Sequence, residues 1–351
     1  MTDEPTRLGD VLDLKYGKGL PERSRIPGHV PVYGSSGVVG SHLKELVSGP
    51  GVVVGRKGSI GEVYWVEKDF FPIDTTYFVE PKSDETSLRF LFYLLRSLPL
   101  KEMNTDAAVP GLNRDNALRL EVSIPGPAVQ EKIVLVTSKY DDLIENNRRR
   151  IALLEDAARQ LYKEWFVRLR FPGHEHAPVV DGVPEGWTKV ALREVLTLNY
   201  GKALKADDRI EGDYPVYGSS GVVGSHNKAL TKAPGIIVGR KGNVGAIHWS
   251  HLDYHPIDTV YFVDATDSSF FIYHALLNTQ FLNTDVAVPG LNRNFAYSRE
   301  IVVPPVTMRD TFEEEVVPIY RQVNLLQTQN TALAKARDLL LPKLMSGEIA
   351  V

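Results

Sequence analysis

Residues 31–81 read PVYGSSGVVGSHLKELVSGPGVVVGRKGSIGEVYWVEKDFFPIDTTYFVEP, and residues 215–265 read PVYGSSGVVGSHNKALTKAPGIIVGRKGNVGAIHWSHLDYHPIDTVYFVDA. The two stretches are 184 positions apart, and 31 of their 51 residues are identical. A repeat of this size indicates a duplicated domain rather than the short unit of a solenoid. The sequence therefore predicts two copies of one globular fold.

The repeat extends beyond this block in both directions. GDVLDLKYGKGL at 9–20 matches REVLTLNYGKAL at 193–204, and NTDAAVPGLNR at 104–114 matches NTDVAVPGLNR at 283–293. Two units of about 125 residues each have the size of whole domains.

Each unit combines strand and helix patterns. In the first unit, apolar segments bounded by glycine predict strands at 52–54, 62–66 and 75–79. Apolar residues at helical spacing predict a helix over 88–98, with a counterpart over 270–282. Because strands and helix do not alternate regularly, the pattern indicates an α+β fold with mixed α/β domains.

A different kind of sequence follows each unit. Residues 128–170 contain no glycine or proline, and only Pro318 and Pro342 interrupt 308–345. Both segments are rich in helix-forming residues, which predicts a long helix after each domain. The predicted layout is a first domain over 1–126, a first long helix over 127–172, a second domain over 173–304 and a second long helix over 305–351.

Both long segments carry apolar residues at alternating four- and three-residue steps, which predicts a coiled-coil seam. In the first helix this seam includes Leu143, and a second stripe through Ala158 widens the apolar face beyond what one partner helix covers. We expect the surplus to dock another protein or to pack on the domains. The candidate partner-binding residues are Ile144, Ile151, Trp165, Leu333 and Leu340.

Three repeated loops are not explained by core packing. YGSSGVVGSH begins at Tyr33 and Tyr217, GRKG begins at Gly55 and Gly239, and VPGLNR occupies 109–114 and 288–293. Arginine can bond a guanine edge with two hydrogen bonds, and lysine can hold a phosphate. The candidate DNA-binding residues are Ser35, Ser36, Arg56, Lys57, Ser59, Asn113 and Arg114 in the first unit and Ser219, Ser220, Arg240, Lys241, Asn243, Asn292 and Arg293 in the second.

Each loop also has a plainer interpretation. The serine- and glycine-rich loop can be a set of tight turns or a nucleotide pocket, although it lacks the GK[ST] of a phosphate-binding P-loop. The Arg-Lys pair can be a solvated turn, and Asn113 and Arg114 can brace their loop. Asp74 and Asp258, in the repeated PIDT segments, are expected to be buried turn caps.

Composition excludes several classes of protein. The chain of 351 residues has no cysteine, so disulfides, thiolate metal sites and a cysteine nucleophile are excluded. The clustered histidines His248, His251 and His255 have no histidine counterparts in the first unit, and no catalytic set or metal site is predicted. The net charge of −4 argues against a chain that grips nucleic acid by bulk charge alone. With no apolar segment of membrane-spanning length and no export signal at the start, a soluble cytoplasmic protein is expected.

In its order of parts, the whole chain resembles the specificity subunit of a Type I restriction–modification enzyme. The resemblance rests on the repeated unit followed by a long helix, on YGSSGVVG, GRKGSIG and VPGLNR, on VPEGW at 183–187, and on RDLLLPKLMSG at 337–347.

This resemblance implies two target-recognition domains separated by two long antiparallel helices, with pseudo-two-fold symmetry. Each domain would read one half of a split double-stranded DNA site. The helices would set the spacing and dock two methyltransferase subunits, which bind S-adenosylmethionine, and a motor/endonuclease subunit can join them. The chain itself would carry no catalysis, cofactor or metal. Because the recognition loops are nearly identical, a near-palindromic site is expected.

Two alternatives remain open from the residues. One is an enzyme whose duplicated glycine-rich loops bind a nucleotide or a sugar phosphate. The other is a free-standing DNA-binding protein without methylation partners. Both copies keep the same loops, which favours a protein that reads two half-sites.

Overall fold

A computed structural model of the chain describes residues 5–104, 111–281 and 290–351, which form two compact units. Unit 1 comprises Met1–Asn146 with Gln329–Val351, and unit 2 comprises Asn147–Thr328. Each unit therefore contains one copy of the repeated domain, the beginning of the long helix that follows it and the end of the other long helix.

Short strands form the domain of unit 1, as its β-branched, glycine-punctuated sequence predicts. They assemble into a four-stranded sheet, a three-stranded sheet and one two-stranded pair. In chain order the strands are β1 (Thr6–Arg7), β2 (Leu12–Tyr16), β3 (Val30–Gly34), β4 (Gly37–His42), β5 (Gly51–Gly55), β6 (Val63–Val66), β7 (Phe71–Pro72), β8 (Thr76–Pro81) and β9 (Glu121–Val122), and the helices are α1 (Leu8–Val11), α2 (Leu88–Ser97) and α3 (Arg114–Leu118).

The four-stranded sheet, in the order β2-β8-β5-β6, is the centre of the unit 1 domain. Its inner strand β5 is buried on both faces, which explains its continuous run of valines. Val52 and Val54 face the core that contains α2, whereas Val53 packs with Phe70 on the opposite face. The predicted strands and the predicted helix at 88–98 are confirmed to within two residues.

The three-stranded sheet presents a hairpin to solvent. Strands β3 and β4 are joined through Ser35 and Ser36, and β3 also pairs in parallel with β7. Gly37 and Gly40 have φ angles of +102° and +146°, which side chains with a Cβ rarely adopt. The glycines of this repeated loop are therefore required by its backbone path.

The domain of unit 2 repeats the four-stranded sheet, the three-stranded sheet and the two-stranded pair of unit 1, and it also contains a second two-stranded pair, Val179–Val180 with Val183–Pro184. The pairing of Val53 with Phe78 is matched by that of Ile237 with Phe262. Its elements are β10 (Val179–Val180), β11 (Val183–Pro184), β12 (Thr188–Ala191), β13 (Asn199–Tyr200), β14 (Tyr214–Gly218), β15 (Gly221–His226), β16 (Gly235–Gly239), β17 (Ile247–Ser250), β18 (His255–Pro256), β19 (Val260–Val263) and β20 (Glu300–Val303), with helices α5 (Phe270–Leu277) and α6 (Arg293–Tyr297).

Helix α5 is shorter than the predicted helix over 270–282. The side chains of Asn278 and Thr279 bond back to the carbonyls of His274 and Ala275, both at 2.8 Å, and these local bonds end the helix at Leu277. Residue 282 lies outside the described residues.

The two long helices are α4 (Pro127–Tyr162) and α7 (Val306–Met345). Their 36 and 40 residues correspond to lengths of about 54 and 60 Å. A π-helical turn, Lys163–Val167, follows α4, and α7 continues through Pro318 and Pro342. None of the helices in the described part of the chain is long and apolar enough to cross a membrane.

The helices pair antiparallel within each unit. In unit 1, Asp141 of α4 forms an ion pair with Arg337 of α7, while Ile133 packs in the same core cluster as Leu344. In unit 2, the ring of Tyr162 contacts that of Phe312 at a centroid distance of 5.9 Å. The α+β fold with two long helices is therefore confirmed.

Two of the candidate partner-binding residues do not lie on an exposed surface. Ile144 and Trp165 are buried in the protein's own cores, at 5% and 8% exposure, whereas Leu143 of the predicted seam is 51% exposed. The heptad pattern was misleading because α4 also packs on the domains. Ile144 and Trp165 are therefore unsuited to direct partner contact. Ile151, Leu333 and Leu340 are half-buried.

Polar side chains of the long helices cap the domain helices. In unit 1, the buried Gln130 accepts a hydrogen bond from the Ser87 N–H at 3.1 Å at the start of α2. In unit 2, Glu313 accepts one from the Phe271 N–H at 2.7 Å at the start of α5. Each domain is thereby tied to a long helix by a bond to one of the main-chain N–H groups that a helix leaves unpaired at its own N-terminus.

A histidine is buried where α5 of unit 2 meets the long helices. His274 stacks on Tyr162 at 5.6 Å, and its Nε2 lies 3.1 Å from the Tyr320 hydroxyl. Burial, with Arg159 as the second cause, lowers the pKa of His274 to about 4 from an ordinary value of 6.5. The unfolded chain therefore binds this proton first, and the stability that neutral His274 contributes is lost as pH falls from 6.5 towards 4.

We predict that His274→Gln reduces the acid sensitivity of unit 2. From pH 7.5 to pH 5.0 the wild type should lose about 2 kcal/mol more unfolding free energy than the variant, at about 1.4 kcal/mol for each pH unit below 6.5. Urea unfolding followed by tryptophan fluorescence measures this, in a Trp65→Phe background that leaves only the tryptophans of unit 2, Trp165, Trp187 and Trp249. Equal losses in both proteins would contradict the assignment.

Candidate functional site

In each unit, the three repeated loops converge around the Arg-Lys turn. In unit 1, the Leu112 N–H donates to the Arg56 carbonyl at 2.9 Å, and Gly111 forms a β-bridge with Lys57. Ser35 lies against the other side of the turn, where a Cβ at Gly58 would meet its Oγ at 3.4 Å. The parts of these loops that the structure describes therefore form one surface. Val109 and Pro110 lie outside the described residues.

Unit 2 builds the same surface. The Leu291 N–H donates to the Arg240 carbonyl at 2.8 Å, and Gly290 forms a β-bridge with Lys241. The Asn243 N–H donates to the Ser219 hydroxyl at 3.3 Å, which joins the Arg-Lys turn to the hairpin. Val288 and Pro289 lie outside the described residues. Loops that are far apart in sequence thus meet in both copies.

The arginine of each turn is held by aromatic rings and one carbonyl. The Arg56 guanidinium lies 5.1 Å from the ring centroid of Tyr16 and 5.9 Å from that of Tyr77, and it donates to the Asp74 carbonyl at 2.8 Å. Among the described residues, no carboxylate pairs with it. Stacking orients a guanidinium without using all of its donors, so the charge stays available for a ligand.

Arg240 repeats this geometry, with Tyr200 at 5.3 Å, Tyr261 at 5.7 Å and the Asp258 carbonyl at 3.1 Å. The expectation that Asp74 and Asp258 are buried turn caps is wrong, because both are exposed. They take part in the site through their main-chain carbonyls.

The repeated VPGLNR segment, which we call the third loop, is held in place by tyrosine hydroxyls next to the arginines. Tyr77 donates to the Leu112 carbonyl and Tyr261 donates to the Leu291 carbonyl, both at 3.0 Å. Burial, followed by the influence of Tyr16, raises the pKa of Tyr77 to about 12, so its hydroxyl remains a donor at neutral pH. Burial likewise raises the pKa of Tyr261.

The remaining predicted residues divide by exposure and bonding. Lys57 and Lys241 are exposed, and no carboxylate among the described residues pairs with either. The residues Ser36, Ser220, Ser59 and Asn243 are also exposed, whereas Ser35 and Ser219 are half-buried. These side chains leave a polar, cationic surface around each turn.

Asn113 and Asn292 serve the fold directly. Asn113 caps α3 by accepting from the Asn116 N–H at 3.0 Å, and Asn292 caps α6 by accepting from the Asn294 N–H at 2.8 Å. Arg114 is tied to Asp13 by an ion pair, whereas Arg293 lies over the rings of Tyr200 and Tyr297. The two arginines of the third loop are therefore held differently.

Sequence reasoning missed two exposed features beside these loops. Tyr16 and Tyr200 are 54% and 50% exposed. On the edge strands β4 and β15, Val38 and Val222 are each 60% exposed. Their presence in both copies was the available signal, since apolar residues repeated at an exposed position are not required by the core.

The hairpin is held to the neighbouring strand by different side chains in the two units. The Tyr64 hydroxyl donates to the Ser35 carbonyl at 3.2 Å, and Nε2 of His248 lies at the same distance from the Ser219 carbonyl. The substitution therefore preserves one contact. His248 is thus occupied in positioning the hairpin, and among the described residues no group of three potential metal ligands occurs.

Comparisons with known proteins agree on one family. The sequence model of the family described as Type I restriction modification DNA specificity domain matches residues 3–156. The chain is 24% identical over 310 residues to the Type I restriction enzyme MjaIX specificity subunit of Methanocaldococcus jannaschii, covering 77% of this chain and 71% of that protein. It is also 24% identical over 386 residues to the HindI specificity subunit of Haemophilus influenzae, covering 82% and 84%.

A solved structure shares the fold. The S subunit of a Type-I restriction-modification system from M. genitalium superposes with a TM-score of 0.55 at 20% identity, covering 97% of this chain and 95% of that one. At this identity, the likeness concerns the architecture and not individual site residues.

We predict that a tyrosine hydroxyl at position 248 can replace the histidine in the hairpin contact. Both His248→Tyr and His248→Phe place a ring beside Gly221, but only tyrosine can donate to the Ser219 carbonyl, as Tyr64 does in unit 1. The tyrosine variant should be more stable by about 1 kcal/mol, the usual net value of one hydrogen bond. Urea unfolding of the two variants measures the difference, and equal stabilities would show that the contact contributes nothing.

Proposed function

We propose that the chain is a specificity subunit of the Type I restriction–modification family, whose sequence model matches residues 3–156 and whose members include its relatives, and that it selects the DNA sequence on which such a complex acts. Its task is recognition, and catalysis belongs to the subunits that assemble with it. Since its target is the chromosome or incoming DNA, we place it in the cytoplasm.

One observation carries the proposal: the same cationic surface is built twice, from the same three loops. In both units the Arg-Lys turn is bonded to the third loop through main-chain atoms and is flanked by the hairpin. Two equivalent reading surfaces suit a split DNA site, because each can contact one half of it. A duplicated nucleotide- or sugar-phosphate-binding enzyme is not favoured, because the family assignment is that of a recognition subunit.

The chemistry of the surface suits double-stranded DNA. Arg56 and Arg240 are oriented by rings and retain free donors, which a guanine edge in the major groove can accept in pairs. Lys57 and Lys241 are exposed beside them and suit backbone phosphates. The chain as a whole has a net charge of −4, so its affinity for DNA depends on these local surfaces and on partner subunits.

We propose further that the target is nearly palindromic. Each unit combines a domain, the start of the helix that follows it and the end of the other helix. The two units are thus built from equivalent parts, and we expect the pseudo-two-fold symmetry that the family resemblance implies. Similar reading surfaces under such symmetry favour similar half-sites in opposite directions.

The long helices offer a surface for the partner proteins of the family, a methyltransferase and a motor/endonuclease subunit. Leu143 and Leu325, on the helices of unit 1 and unit 2 respectively, are both 51% exposed, and Leu135, Leu153 and Leu339 are more exposed. Leucines exposed in this number on one pair of helices favour a protein partner. We propose that one methyltransferase subunit docks on each unit.

We predict separable effects for the two residues of each turn. Arg56→Ala or Arg240→Ala should weaken binding of the target by about 1–3 kcal/mol and relax specificity at one base pair, whereas Lys57→Ala or Lys241→Ala should weaken all sequences alike and lower the salt slope by about 1. Binding of the assembled complex to a panel of single-base variants measures both effects.

Lys68→Ala provides the matched control, because Lys68 is exposed but lies outside the repeated loops. The control should bind like the wild type. Unchanged affinity and specificity in all four loop variants would reject the assignment of the turns to DNA contact.

We predict that the helix leucines control assembly. Leu143→Asp and Leu325→Asp should each remove one of two methyltransferase subunits, and the double variant should remove both, because an uncompensated charge is costly in an apolar interface. Native mass spectrometry of the co-expressed complex measures the stoichiometry. Leu43→Asp, at a 47% exposed leucine directly after strand β4, should leave it intact. Full assembly of the double variant would contradict this docking surface.

A further inference from the structure

The two reading surfaces differ at one pair of positions in a way that changes their charge. The repeat aligns Asp13 with Thr197, and it aligns Arg114 with Arg293. Both arginines begin the short helix after the third loop, as the first residues of α3 and α6. The environment of each guanidinium is set by whether the carboxylate is present.

In unit 1, the arginine is used by the fold. Arg114 donates through Nε to the Leu14 carbonyl at 2.8 Å and through Nη2 to the Asp13 carboxylate. The same carboxylate accepts the Leu14 N–H at 2.8 Å and pairs with Lys15 at 3.0 Å. The charge of Arg114 is therefore largely balanced, and its donors are directed into the protein.

In unit 2, a tyrosine hydroxyl takes over the structural part of the carboxylate's role. Tyr297 stands where unit 1 has Leu118, and its hydroxyl accepts the Leu198 N–H at 2.9 Å, the bond that corresponds to Leu14 with Asp13. This replacement satisfies the strand without an acidic group. The arginine beside it is left without the partner that Arg114 has.

In the part of the chain that the structure describes, the contacts that hold the Arg293 guanidinium are with aromatic rings. Its guanidinium lies 5.0 Å from the ring centroid of Tyr200 and 5.9 Å from that of Tyr297. Among the described residues, no carboxylate pairs with Arg293; the nearby Asp267 accepts the Thr197 N–H at 2.9 Å instead. Arg293 is exposed to solvent, and stacking on a ring leaves the edge of its guanidinium free for hydrogen bonds.

A second cation shares the same ring. Arg240 lies 5.3 Å from the centroid of Tyr200, so two guanidinium groups flank one tyrosine. Because the two groups lie 5.3 Å and 5.0 Å from that centroid, they are at most about 10 Å apart, and two like charges within this range repel each other less when an anion lies near them. A phosphate relieves that repulsion and can accept paired hydrogen bonds from a guanidinium.

We propose that Arg293 binds a backbone phosphate beside the base-reading Arg240 in unit 2, a contact that has no equivalent at Arg114 in unit 1, so the protein binds its two half-sites with unequal strength. This inference rests on the proposed function. Arg114 is the counterpart of Arg293 in the sequence of unit 1, but its guanidinium is already paired with the Asp13 carboxylate. The two units therefore have nearly identical reading loops but differ in the strength of their electrostatic interaction with the DNA backbone.

The test compares alanine variants of the two arginines in the assembled complex. The affinity of each complex is measured for a labelled duplex that contains the motif which the wild-type complex methylates. Arg293→Ala should weaken binding about tenfold, as expected for the loss of about 1.4 kcal/mol, and should lower the slope of log affinity against log salt by about 1. Arg114→Ala should change affinity less than about threefold, with an unchanged slope. Thermal melts of each variant provide the folding control.

Charge substitutions at the partner position provide an independent test that leaves both arginines in place. Thr197→Asp should reproduce the effect of Arg293→Ala by installing the carboxylate of unit 1, while Thr197→Asn, the uncharged match, should bind like the wild type. Asp13→Asn should tighten binding and steepen the salt slope, because it releases Arg114.

The outcomes separate this inference from the function on which it rests. If the wild-type complex does not distinguish its motif from a scrambled duplex, the proposed function fails. If it does distinguish them, equal losses from Arg114→Ala and Arg293→Ala would overturn the inference. So would a loss from Arg293→Ala that is confined to one base position, because a phosphate contact weakens all sequences alike.

Discussion

The hydrogen bond between the third loop and the Arg-Lys turn is the interaction on which the reading surface depends. It joins the Leu112 N–H to the Arg56 carbonyl in one unit and the Leu291 N–H to the Arg240 carbonyl in the other. Because both partners are main-chain groups, neighbouring side chains can change without breaking it. The bond fixes the position of the turn relative to the third loop. The tyrosine that holds this loop, Tyr77 or Tyr261, also contacts the guanidinium of the turn.

This constraint explains how two domains with many differing side chains keep one surface. Tyr64 and His248 are chemically unlike, yet each holds its hairpin through a carbonyl oxygen. Asp13 and Tyr297 are also unlike, yet each accepts a hydrogen bond from the equivalent main-chain N–H, that of Leu14 in unit 1 and that of Leu198 in unit 2. The backbone framework is constant, while the charges arranged on it vary. Two similar half-sites can thus be recognised with different strengths.

The repeat, the α+β class, the long helices and the three loops were all predictable from sequence, because periodicity and repetition are local signals. Convergence of the loops was not predictable, since main-chain bonds between distant residues leave no side-chain signature. The roles within α4 were not predictable either. A heptad pattern gives the spacing of apolar residues, but whether Ile144 or Leu143 is buried depends on which face packs against the domain and helix α7.

The central claim is that two nearly identical surfaces read two related half-sites. Methylation mapping by long-read sequencing, in cells that carry the complete complex, tests this most directly. The account predicts a split motif whose two halves are related by inversion and differ at one or two bases, separated by a spacer of fixed length. Two half-sites unrelated by inversion would contradict it, because the residues that differ between the units, and not the shared loops, would then determine the sequence that is read.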